Sequence, residues 1–175
     1  MNNTIKLPLF LGATCLIAAG LLSAVVAITD PIIEAQKIEK ENAAYQALYE
    51  GEEISTEAIT FEGANENIID IKKVTHNSKI SAVYKMKSTS SYETLTFLVG
   101  ISFDSKTVDS YACVDTSTAS LGYGNFKKDD KVSSLYDGYD GNGTPIIAGT
   151  TVTSKAVKAS MDIALKDFNA RNWEE

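Results

Sequence analysis

The sequence predicts an α+β protein: an N-terminal transmembrane helix and helical stalk, then an antiparallel-sheet domain closed by a C-terminal helix. Three observations carry that expectation. Leu7 to Ile28 is a run of 22 residues without a charge, long enough to cross a bilayer as a helix. Leu95, Phe97, Val99, Ile101 and Phe103 alternate with their neighbours in the period-2 pattern of a strand. Val157, Met161, Leu165 and Phe168 recur at helical spacing near the end of the chain.

Composition bounds the function. The 175 residues leave room for one modest domain plus an anchor, and 44% hydrophobic content supports a packed core. A net charge of −7 excludes a basic stripe for nucleic acid and disfavours adsorption to anionic lipid. Cys15 lies in the apolar run and Cys113 in a strand-like segment, so no disulfide is expected. His76 is the only histidine and reads as a surface residue without metal-ligand company. Asp137, Asp140 and Asn142 do not fit the spacing of an EF-hand calcium loop and read as solvated turn residues.

Three readings of the N-terminal run compete: a permanent anchor, a signal peptide cleaved after Val25-Val26-Ala27, and a lipoprotein signal ending at Cys15. Its length favours the anchor. Gly12, Gly20, Ala13, Ala18 and Ala19 offer small surfaces to a neighbouring helix, and Pro8 is tolerated in the first turn. Lys6 precedes the span, whereas the basic residues after it are matched by acids. The positive-inside rule therefore puts the short N-terminus in the cytoplasm and the C-terminal domain outside. The expected layout is an anchor over 1–29, a stalk over 30–60 and an extracytoplasmic domain over 61–175.

Beyond the span, Thr29-Asp30-Pro31 reads as a helix restart, with Asp30 as cap and Pro31 at the first helical position. That helix is expected to run to about Tyr49, where Gly51 ends it. Ile33, Ala44, Ala47 and Leu48 form a modest apolar stripe, and Lys37 and Glu41 an i,i+4 pair. Strands are expected from about Phe61 to Val114. Ile80, Ala82, Tyr84 and Met86 alternate in one of them, and Asp104-Ser105-Lys106 turns a hairpin into Val108–Val114. Gly100 in mid-strand points to a bulge or a close backbone approach. A loop rich in Ser, Gly, Asp and Tyr covers Asp115 to Gly149. The last helix is expected from about Ser154 to Ala170, with Thr153 or Ser154 as its cap.

Ala148-Gly149-Thr150-Thr151-Val152-Thr153-Ser154 leads into that helix. Small and hydroxyl residues at a helix entrance suit a phosphate, because the first N–H groups lack intrahelical partners and the dipole favours negative charge. Thr151 is the hydroxyl singled out, and Lys155 in the first turn reads either as an added cation or as a solvated lysine.

The order of these segments resembles the FMN-binding G subunit of the Rnf electron-transport complex and its homologue, the C subunit of the sodium-pumping quinone reductase. Three stretches carry the resemblance. Thr29-Asp30-Pro31-Ile32 looks like the family's membrane exit. Ser117-Thr118-Ala119-Ser120-Leu121-Gly122 is similar to its Glu-Thr-Pro-Gly-Leu-Gly loop, keeping Thr118, Leu121 and Gly122. Ala148 to Val157 resembles its Ser-Gly-Ala-Thr-x-Thr-Ser-x-Ala-Val motif. The resemblance implies a membrane-anchored electron carrier whose FMN is attached to Thr151 through a phosphodiester, made by a separate flavin transferase. Gly149, Thr150, Thr153, Ser154, Thr118, Leu121 and Gly122 would border the cofactor, and the partners would be the other membrane subunits of an Rnf-type complex. Tyr123, Phe126, Tyr136 and Tyr139 sit in loops that could flank the flavin ring, although each also suits ordinary packing. The chain departs from the family pattern at Ser117, Ala119, Ala148 and Thr150, and Pro145 stands where an acid is usual.

Two other readings stay open: a family member that is not flavinylated or holds FMN noncovalently, and a pilin-like anchored protein. The latter lacks the Gly-Phe-Glu processing site. No hydrolytic triad can be drawn.

Overall fold

The computed structural model describes residues 3–59, 65–91, 94–115, 134–143, 145–147, 149 and 151–173. It is an α+β structure: a long apolar helix α1 (Asn3–Leu48), five strands, and a C-terminal helix α2 (Thr151–Ala170). The strands are β1 (Ile54–Ala58), β2 (Ile68–His76), β3 (Lys79–Thr89), β4 (Thr94–Ser102) and β5 (Val108–Asp115). They pair in chain order as an antiparallel sheet, β1-β2-β3-β4-β5. The chain divides into two units, Met1–Lys40 and Glu41–Glu175.

The first unit is helical from Asn3. Phe10, Leu11, Leu16, Ile17, Leu21, Leu22 and Ile28 are all exposed. A helix this long and apolar fits either a single membrane span or a signal sequence. The expected restart at Thr29-Asp30-Pro31 is not a break. Pro31 removes one donor from the ladder, but the helix continues, and the Thr29 hydroxyl donates to the Val25 carbonyl across 2.8 Å.

In the second unit both faces of the sheet are buried. On one face Ala82, Tyr84, Met86, Leu95, Phe97, Val99 and Ile101 pack against Val157, Met161, Ala164, Leu165 and Phe168 of α2. On the other, Val74, Val83, Leu98 and Ala112 are covered by Ala44, Tyr45 and Leu48 from the last turns of α1 and by Tyr49 just after it. This two-sided burial explains why Phe97 to Ile101 are buried without a gap. Each large side chain so buried contributes roughly 1.5–3 kcal/mol. Phe103, Phe168 and Trp173 close one end with edge-on ring contacts about 5 Å apart between centroids (5.2 and 5.0 Å).

Local devices set the register. Asn77 (φ 43°) and Ser78 (φ 64°) form a two-residue turn with both central residues left-handed, joining His76 to its partner Lys79. Such a turn matches the strand twist. Register slips between Ile68 and Asp70, so Ile69 points outward while Ile68 and Ile71 both reach the α2-facing core. On β5, Gly100 pairs with Ser110 and Ile101 with Val108, which leaves Asp109 as the bulged residue. Of its two expected roles Gly100 meets the first, lying opposite a bulge, while the atoms that crowd it are side-chain ends rather than backbone.

Candidate functional site

The sequence motif before the last helix is the first candidate. α2 begins at Thr151, three residues before the expected start, so Thr151 lies in the first turn rather than ahead of it. Gly149 has φ 84°, a left-handed conformation that costs a residue with a Cβ about 1–2 kcal/mol. Thr151 is exposed, and so is Val152 beside it. Thr153 and Ser154 are buried. The expectation that Thr153 or Ser154 caps the helix is corrected, since both are inside the helix. The Ser154 hydroxyl instead accepts from the Ile147 N–H across 3.1 Å and ties the incoming chain to the helix. Lys155 is exposed. Thr150, Thr118, Leu121 and Gly122, with Tyr123 and Phe126, lie outside the described residues.

Tyr136 and Tyr139 are core residues rather than surface rings. Tyr136 is fully buried, and its hydroxyl donates to the Ser154 carbonyl at 3.5 Å. Tyr139 donates to Asp162 at 2.6 Å, and the two rings meet edge-on at 5.7 Å. Burial first, and then the Asp162 hydrogen bond, push the Tyr139 phenol up. These contacts tie the 136–139 segment to α2 at Ser154 and Asp162.

A second constellation, which the sequence did not announce, lies on the α1-facing side of the sheet. His76 is buried, not a surface residue. Its ring stacks on Tyr49 with centroids 3.7 Å apart. Its Nδ1 lies 2.8 Å from Glu52 Oε2 and its Nε2 3.1 Å from Ser81 Oγ. Ser81 donates onward to Asp109 Oδ2. Asp109 Oδ1 accepts from Tyr49 at 3.2 Å and from Ser110 at 2.9 Å. Burial, with Asp109 second, pushes the Tyr49 phenol far up, so it acts as a neutral donor. The parts come from separate places: the end of α1 and the turn after it, the end of β2, the start of β3 and the β5 bulge. A cleft of about 560 Å³ opens beside them, lined among others by Tyr49, Glu52, His76 and Asp109.

Glu52, His76 and Ser81 stand in the order of an acid–base–nucleophile relay. Ser81 is fully buried and its proton is directed at Asp109. A buried serine that donates to a carboxylate is not an attacking group, so the chain of contacts is structural rather than hydrolytic. Among the described residues, no group of three His, Cys, Asp or Glu side chains is placed to hold a metal ion.

No protein-family model matches this chain, and no curated protein is significantly similar to it.

Proposed function

We propose that this protein is a membrane-anchored electron carrier with FMN attached to Thr151 through a phosphodiester, acting as a subunit of an Rnf-type ion-translocating complex. The observation that carries the reading is the position of Thr151. Of the motif hydroxyls described, it is the one that faces solvent, in the first turn of α2, with Gly149 in a left-handed conformation two residues before it. The order of the family-like segments along the chain supports it independently.

Thr151 Oγ1 is accessible to an enzyme active site. Bond formation joins Oγ1 to the phosphorus of an activated flavin nucleotide, the hydroxyl loses its proton, and the nucleotide's leaving group departs. A separate flavin transferase performs this step on the extracytoplasmic side. The phosphodiester keeps one negative charge, which the N-terminus of α2 is suited to accept. Tethering retains the cofactor where free flavin would be lost. When bound, FMN supplies the electron-transfer chemistry; the protein holds it, orients it and presents it to the other membrane subunits. The packing of Tyr136, Tyr139 and Ser154 anchors the helix that carries Thr151.

The test is in-gel flavin fluorescence of the full chain co-expressed with a flavin transferase. A fluorescent band that survives denaturation in the wild type and disappears in Thr151→Ala supports the reading. Absence of a band in the wild type, or an unchanged band in the variant, overturns it.

A further inference from the structure

His76 offers an inference independent of the flavin. Count the protons around its ring. Ser81 has one hydroxyl proton, and it points to Asp109. Nε2, 3.1 Å from Ser81 Oγ, must then be the donor in that contact. Glu52 Oε2, 2.8 Å from Nδ1, belongs to an acceptor-only carboxylate, so Nδ1 must donate as well. An imidazole that donates from both nitrogens carries a positive charge.

We propose that His76 is a proton-held clasp. The imidazolium joins Glu52, in the turn after α1, to Ser81 and Asp109 on the sheet, and loss of the ring proton loosens the 49–54 segment.

The surroundings suit a cation. Asp109 Oδ2 is 3.9 Å from Nε2. Tyr49, the residue after α1, covers one face of the ring. Among the described residues, Lys79, opposite His76 in the β2–β3 turn, is the one lysine or arginine lining the cleft, against Glu50, Glu52, Asp104, Asp109 and Asp137. A neutral ring keeps one N–H, so either the Glu52 contact loses its proton, or the Ser81 hydroxyl turns to Nε2 and releases Asp109. A charge-assisted hydrogen bond is then lost, and the segment from Tyr49 to Ile54 opens more often. Opening should rise roughly tenfold for the loss of one such bond.

His76 is the only histidine, and imidazole is the side-chain type whose charge commonly changes between pH 5 and 8. Hydrogen exchange of the full chain in detergent, corrected for intrinsic rates, tests this at pH 6 and pH 8. Protection of the 49–54 amides should fall roughly tenfold at the higher pH in the wild type, and in His76→Gln it should be low at both. Ring ¹⁵N shifts in the wild type report the two nitrogens directly and do not depend on the variant folding. Both should be protonated at pH 6, and the loss of one signal should track the loss of protection. Protection that does not change with pH, or the same fall in His76→Gln, overturns the proposal, as does a single protonated nitrogen at pH 6.

Discussion

The Tyr84 hydroxyl, in the centre of the sheet, donates to Asp167 of α2 across 2.9 Å. Asp167 is also held by Arg171 through contacts of 2.7 and 3.1 Å. One carboxylate thus joins β3 to the last turns of the helix. Burial, with Asp167 second, pushes the Tyr84 phenol far above its ordinary value and keeps it a donor.

Tyr84→Phe removes a bond to a charged acceptor but leaves Asp167 its arginine. The expected loss is about 1–2 kcal/mol in urea unfolding. Asp167→Ala leaves both the phenol and the guanidinium without their acceptor and should cost more. Equal stability of the two variants would remove this carboxylate from the account of helix docking.

Gly100→Ala tests the crowded side of the bulge. A Cβ built there overlaps Ser110 Oγ, Asp109 Oδ1 and Tyr49 Oη. These are side-chain ends, but each belongs to the same hydrogen-bonded network, so none moves freely. The variant should lose about 1–3 kcal/mol, as overpacked cores do. Tyr49→Phe in the same background should recover part of that loss, because it removes one of the three colliding atoms.

Glu41 gives a pH dependence with a defined sign. It bonds Lys72 at 3.3 Å and pairs with Lys85, which joins the end of α1 to β2 and β3. Burial alone raises its carboxyl, but Lys85 and Lys72 outweigh burial and hold it below the ordinary 4.5. A carboxyl lowered by folding stabilises above its unfolded-state value, and that contribution is lost as pH falls through the lower folded-state value. Acidification below about pH 4.5 should therefore cost the wild type stability that Glu41→Gln does not lose. The pair is partly solvated, so the difference should be about 1 kcal/mol or less.

The proposed attachment residue can be tested apart from the fold. Thr151 is exposed, and Thr151→Ala should change stability by under about 0.5 kcal/mol. Ser154→Ala, which removes a buried acceptor for the Ile147 N–H, should cost about 1 kcal/mol. Thermal unfolding of both variants checks the contrast.

Much of the fold was legible because its apolar residues keep a period. Leu95 to Ile101 alternate, and Val157, Met161, Leu165 and Phe168 repeat at helical spacing; all but the outermost of the expected faces are buried. β1 was not legible, since Ile54 is its only partly buried residue and its other apolar residue, Ala58, is small and exposed. β2 was obscured by the bulge at Ile69, which moves Ile68 and Ile71 to one face. Tyr45 and Tyr49 were overlooked beside the expected Ala44 and Leu48, and Glu41 pairs across to the sheet rather than along its helix with Lys37. The His76 network could not be read locally, because Glu52 and Asp109 reach it only through the sheet. At the other site the family-like motif already singled out Thr151 over Thr153, and the structure adds that Thr151 is exposed and Thr153 buried.

The most direct measurement is peptide-level mass spectrometry of the full chain purified after co-expression with a flavin transferase. The expected result is an FMN phosphoryl adduct on the peptide spanning 149–155, with fragment ions that place it on Thr151. An adduct on Thr150 or Thr153, or an unmodified peptide from protein matured in the presence of an active transferase, would contradict the proposed attachment.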